Sequence, residues 1–128
     1  MLCRPRDVVG GDFYVYRATA QGCLLGVVDC AGHGVPGALM TMLAHAAIEQ
    51  AIADAGPADP AAVLARTDGI VRRMLRDDTT QQALATNMDV GLAYVDFERR
   101  LVVYAGAKIA LYYSDGESLE ELPAGRRA

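Results

Sequence analysis

The chemistry-bearing residues of this chain are a few acids, one histidine and a cluster of glycines. Asp29, Cys30, Gly32, His33 and Gly34 stand in the run DCAGHG, and Asp12 follows the pair Gly10-Gly11. Leu24 to Val28 is a short apolar run that reads as a buried strand. Pro36 opens a helical pattern at a position where proline is well tolerated. An acid and a histidine are thus set on a glycine-rich turn between a strand and a helix. A carboxylate at the end of an apolar strand is costly unless something charged meets it. The preceding strand supplies a neighbour. If Ala20-Gln21 is a two-residue hairpin loop, Thr19 faces Gly22 and the register carries Asp12 opposite Asp29; a three-residue loop shifts this by one. Opposed side chains lie about 5 Å apart at Cβ, where like charges repel. One reading makes one acid a solvated strand-end residue and the other a turn former. The other places a divalent cation between them, Mg²⁺ or Mn²⁺ rather than zinc, because the ligands are oxygens without a histidine or thiolate partner.

The loop adds to this. Its glycines let backbone approach a ligand closely, and the N-terminus of the following helix favours an anion. Carboxylates, a hard cation and a place for phosphate are what metal-assisted attack of water on a phosphoryl group needs. His33 either donates a proton to the leaving oxygen or braces the loop. Asp89 opens a later strand and either reaches toward the cleft or stands in solvent, the second being the simpler expectation. Lys108 could meet phosphate but reads first as a surface lysine. His45 lies mid-helix, in the core or on the surface, and Ser114-Asp115-Gly116 is a turn.

The elements that position these residues follow from periodicity. Strands are expected over Asp7 to Ala18 and Gly22 to Asp29. A helix is expected over Pro36 to Ala55, with Leu39, Met40, Leu43, Ala47, Ile48 and Ile52 on its apolar face. Gly56-Pro57 stops it. Asp59-Pro60 caps a second helix bearing Val63, Leu64, Thr67, Ile70, Val71, Met74 and Leu75. Its far face carries Arg66, Arg72, Arg73 and Arg76, a solvated face or a dock for an acidic partner. Asp77 to Asn87 is a polar loop. Strands follow over Met88 to Phe97, Leu101 to Ala105, Ile109 to Ser114 and Ser118 to Leu122, with Asp115-Gly116 marking a hairpin. Two strands, two helices and four strands make an α+β pattern, an antiparallel sheet with a helical pair on one face. Apolar residues on both faces of several strands call for a second layer.

Composition sets the outer limits. The chain has 128 residues, 52% hydrophobic, and a net charge of −4. That allows one domain with a real core and argues against nucleic acid as partner. Three cysteines without repeating spacing fit a reducing cytoplasm better than a disulfide framework. No apolar run reaches membrane-spanning length, so no membrane partner is expected, and MLCRPRD lacks a signal peptide's apolar core.

GGDFY at Gly10 to Tyr14 and DCAGHGVPGALMTML at Asp29 to Leu43 resemble the bacterial metal-dependent serine/threonine phosphatases, the protein phosphatase 2C superfamily in its sporulation-stage-II-E (SpoIIE-like) branch. NMDVGLAYVD and YAGAKIALYYSDGE are similar to central strands of that branch. The resemblance implies a β-sandwich flanked by helices with two Mn²⁺ or Mg²⁺ ions at one end. It implies that Asp29 bridges the metals, that the Cys30 carbonyl helps bind one, and that Asp12 binds through that metal or its waters. His33 would be the general acid, and Gly32, Gly34 and Asp89 are candidate substrate or phosphate contacts. The substrates implied are phosphorylated STAS-type anti-sigma-factor antagonists. The family's later metal-binding aspartates have no counterpart before Ala128. Residues 1–128 are therefore expected to form the N-terminal half to two-thirds of the domain, a partial sandwich with one metal site incomplete. Uncovered sheet would then favour a homodimer or instability. The alternative is a non-catalytic, truncated phosphatase-like domain that only binds a partner or dimerises. A nucleotide-binding reading lacks both a P-loop lysine and a dinucleotide fingerprint.

Overall fold

The computed structural model describes residues 11–30, 34–74 and 88–124. Its elements are β1 (Asp12–Ala18), β2 (Gly22–Cys30), α1 (Gly34–Ala55), α2 (Pro60–Met74), β3 (Met88–Asp96), β4 (Leu101–Ala107), β5 (Leu111–Ser114) and β6 (Leu119–Leu122). The first four strands form one antiparallel sheet in the order β1-β2-β3-β4, and β5 and β6 pair separately. The expected α+β class and the helical pair on one sheet face are both present.

The β1-β2 hairpin has the two-residue loop. Ala18 pairs with Cys23 and Asp12 with Asp29. Thr19 fixes this register: its backbone N–H donates to the Gly22 carbonyl at 2.8 Å, and its Oγ1 accepts from the Gly22 N–H at 2.9 Å. The same hydroxyl lies 2.8 Å from the Tyr94 hydroxyl, tying the turn to β3. Gly22 is needed there, since a Cβ would sit 1.8 Å from the Val95 carbonyl oxygen. At the far end the Cys30 N–H donates to the Gly11 carbonyl at 2.9 Å. Both ends of the hairpin are thus held, and the facing of Asp12 and Asp29 is set by backbone bonds.

The helices cover one sheet face. Val15, Leu24, Val28, Val90, Leu92 and Tyr94 point into them and are buried. Ala44, Ala47, Ile48, Ala51 and Ile52 of α1 and Val63, Ile70 and Val71 of α2 complete the core. Each fully buried Leu, Ile or Val contributes roughly 1.5–3 kcal/mol. Ion pairs stitch the rim: Arg17 of β1 with Glu49 of α1, and Arg66 of α2 with Asp54 of α1 at 3.0 Å. The arginine face of α2 is exposed, as a solvated face should be, with Arg72 beside Asp68; Arg76 lies outside the described residues. Asp59 caps α2, its Oδ1 accepting the Ala62 N–H at 3.1 Å. Gly56, at φ 86, ends α1 in the left-handed region.

Several expected details differ. α1 begins at Gly34, two residues before Pro36, which the first turn accommodates. Leu39, placed on the buried face, is 56% exposed, because α1 is apolar nearly all round and periodicity cannot choose its face. β4 runs on to Ala107 and β5 starts at Leu111. The described part of the first strand starts at Asp12; the expected Asp7–Gly10 portion lies outside the described residues, as do Leu75 and the Asp77–Asn87 loop.

The opposite sheet face carries Tyr14, Tyr16, Leu25 and Val27, all 43–58% exposed. Tyr104, Ile109 and Leu111 help line a groove of about 480 Å³ above them. This is the face on which the sequence called for a second layer.

Candidate metal centre

Strand pairing builds the site. Asp12 faces Asp29 across β1-β2, and Asp29 faces Asp89 across β2-β3. Three aspartates therefore stand side by side at one end of three neighbouring strands, on the uncovered sheet face. Adjacent strands lie about 4.8 Å apart, so the row is close enough for strong mutual repulsion. α1 starts at Gly34, with only three residues between it and the end of β2 at Cys30. Its 22 residues bring the positive end of a long helix dipole to the same end of the sheet.

The side chains divide this row unequally. A hydrogen bond with the Asp12 carboxyl, with burial and the Asp12 charge behind it, holds the Asp29 carboxyl above its ordinary 3.8. Asp89 instead meets Lys108, whose Nζ lies 3.7 Å from Asp89 Oδ1. Asp89 stays 40% exposed in this pair and Lys108 51% exposed, so the strand-end acid is open to solvent with a lysine beside it. Lys108, read first as a surface lysine, is its partner. Among the described residues no three His, Cys, Asp or Glu side chains converge to hold a metal ion.

The remaining candidates are placed as follows. Cys30 is buried, and burial with the charges of Asp29 and Asp12 pushes its thiol up to about 11, against a Thr41 hydrogen bond that lowers it. A thiol so placed is neutral and does not act as a ligand at ordinary pH. His33 and Gly32 lie outside the described residues. Gly34 is the first residue of α1. His45 is a surface residue, its ring 5.2 Å from that of Phe13 and its Nε2 3.9 Å from Glu49. Asp115 caps its own turn, its Oδ1 accepting the Glu117 and Ser118 N–H groups.

The donor set of Asp12 and Asp29 fits a hard divalent cation. Both are exposed oxygens, and the charge that raises Asp29 is the charge a cation would neutralise. What Lys108 does was missed by sequence reading. Its signal is the spacing of Gly91 and Gly106. A Cβ on Gly106 would lie 2.3 Å from the Ile109 carbonyl oxygen, and one on Gly91 2.8 Å from the Tyr104 hydroxyl.

The α+β arrangement is shared with solved structures of PP2C-type domains. The family model of stage II sporulation protein E (SpoIIE) matches residues 19–127. The chain belongs to the SpoIIE family. Among solved structures it is similar to the SiaA-PP2C domain of Pseudomonas aeruginosa, with 63% identity and a TM-score of 0.85 over 98% of this chain and 49% of that one. The fold is shared with the PP2C phosphatase domain of SpoIIE from Bacillus subtilis, at 14% identity and a TM-score of 0.70 over 94% of this chain and 34% of that one. It is also shared with RsbX in complex with magnesium, at 17% identity and a TM-score of 0.64 over 97% of this chain and 56% of that one. The chain thus spans about half the length of the SiaA domain. No curated protein sequence matches it significantly. Among the described residues no helix is long and apolar enough to cross a membrane.

Proposed function

We propose that this chain is the cation-binding and substrate-facing part of a metal-dependent protein serine/threonine phosphatase. The observation that carries this is the register that sets Asp12 against Asp29 beside the start of α1. Asp12, Asp29 and the Cys30 carbonyl would hold Mn²⁺ or Mg²⁺, which when bound supplies an activated water and charge stabilisation for phosphoryl transfer. The chain's own residues do the rest. The two carboxylates fix negative charge at the strand ends. The N-terminus of α1, which begins at Gly34, favours the phosphoryl oxygens, and Gly32 of the DCAGHG run is a further candidate contact. His33 serves as proton donor to the leaving serine or threonine oxygen. Asp89 stands at the edge of the row as the candidate contact to substrate. Residues 1–128 make up the first part of the domain, in keeping with coverage of 49% of the SiaA domain.

The substrate reading is a phosphorylated STAS-type signalling protein in the cytoplasm. It rests on the resemblance of the DCAGHG and AGAK motifs, and the stressosome context of a structurally similar protein supports it. A second reading is favoured by one observation: the uncovered apolar face of β1 and β2. On that reading the chain binds a partner, or a second copy of itself, without turnover. Phosphate release from a phosphoserine-bearing STAS protein in Mn²⁺ separates the two. Turnover that Asp29→Asn abolishes establishes the enzyme; partner binding without turnover establishes the second reading.

A further inference from the structure

The backbone places three aspartates in one row, but the side chains make a pair and a singleton. Asp12 and Asp29 stand directly opposed at the open end of the hairpin, while the Asp89 carboxylate lies 3.7 Å from the Lys108 ammonium. The segment carrying Lys108 is built to deliver it there. Lys108 has φ 68, in the left-handed region that a non-glycine residue enters only when its surroundings hold it. It forms an isolated parallel bridge with Val90, the residue next to Asp89. The Tyr104 hydroxyl donates to the Ile109 carbonyl at 2.5 Å, closing the turn behind it. Gly91 and Gly106 leave the room this closure needs.

We propose that Lys108 is an internal counter-ion that withholds Asp89 from the cation site. Register alone would make Asp89 a third carboxylate ligand beside Asp29. The ammonium neutralises it instead, leaving Asp12 and Asp29 as the binding pair and setting cation affinity below that of a three-carboxylate cluster. Lys108 is a positioning residue acting through Asp89. This inference rests on the reading of Asp12 and Asp29 as a cation site.

The test is calorimetric titration of Mn²⁺ into the full chain. Removing the Lys108 charge adds one net negative charge to the row and frees Asp89. With both side chains about half exposed, Lys108→Gln is expected to tighten Mn²⁺ binding roughly three- to ten-fold. Lys108→Arg keeps the charge and should match the unaltered chain. The gain should vanish in Lys108→Gln/Asp89→Asn. Asp89→Asn alone, which leaves the Lys108 segment intact, should change affinity by less than about three-fold, because a paired exposed charge contributes little. Lys108→Gln without tightening, tightening that persists without Asp89, or a ten-fold or greater loss on Asp89→Asn each overturns the proposal. Asp29→Asn is the separate control. If it leaves Mn²⁺ binding intact, the cation-site reading itself fails, whatever the Lys108 variants do.

Discussion

Asp29→Asn should act in opposite directions with and without cation. In the metal-free chain at neutral pH, Asp29 and Asp12 are like charges on directly paired positions. Such pairs destabilise by roughly 0.2–1 kcal/mol, and both side chains are exposed, so the upper end is a ceiling. Asp29's carboxyl is raised in the folded state by the hydrogen bond with Asp12, by burial and by the Asp12 charge. A raised carboxyl stabilises the fold fully below its unfolded value and loses that contribution as pH rises through the folded value. Neutralising it should therefore raise the midpoint of unfolding at pH 7.5 by about 1–4 °C for a domain of this size. The gain should shrink as pH approaches 3.8, the ordinary value of the group. Mn²⁺ reverses the order. At ten times its dissociation constant a cation that binds only the folded state adds about 1.4 kcal/mol, which the variant forgoes. Differential scanning fluorimetry across pH, with and without Mn²⁺, reads both halves. A variant that is less stable without metal, or that keeps the full Mn²⁺-induced rise, would overturn this expectation.

Three further outcomes follow from the packing. Gly22→Ala drives a Cβ to 1.8 Å from the Val95 carbonyl oxygen, so the β1-β2 hairpin must shift; urea unfolding should show a loss of about 2–3 kcal/mol, and a neutral result would mean that the hairpin end is not close-packed. Asp59→Ala removes the cap on α2 and should cost about 1 kcal/mol by the same assay, with Asp59→Asn near neutral. Cys30, with its thiol pushed up to about 11 and buried, should resist iodoacetamide at pH 8 in the folded chain and react once urea unfolds it; rapid labelling of the native chain would contradict the burial.

The hairpin that faces Asp12 with Asp29 is legible because its information is local: a Gln-Gly turn, a short loop and period-two alternation. The core face of β3 is legible for the same reason, with Val90, Leu92 and Tyr94 all buried as their alternation predicts. The exposed position of Leu39 is not, since α1 offers apolar residues on nearly every side and only the docked sheet selects Ala44, Ala47, Ile48, Ala51 and Ile52. The Lys108–Asp89 pair is illegible for a different reason. It depends on a lysine in a backbone conformation that sequence reading assigns to glycine, and on a bridge between residues 18 apart in the chain (Val90 and Lys108). Gly106 reads as a break between strands, but it sits inside β4, where Ile109 folds back over it.

If Asp12 and Asp29 share a divalent cation while Lys108 keeps Asp89 apart from it, the metal's position will show both. Crystals of this chain grown with Mn²⁺, with anomalous diffraction measured at the manganese edge, address it directly. The expected result is a peak within coordination distance of carboxylate oxygens of both Asp12 and Asp29, with the Lys108 ammonium still beside Asp89. No peak between the two aspartates, or a peak bound by Asp89 with Lys108 swung away, would contradict it.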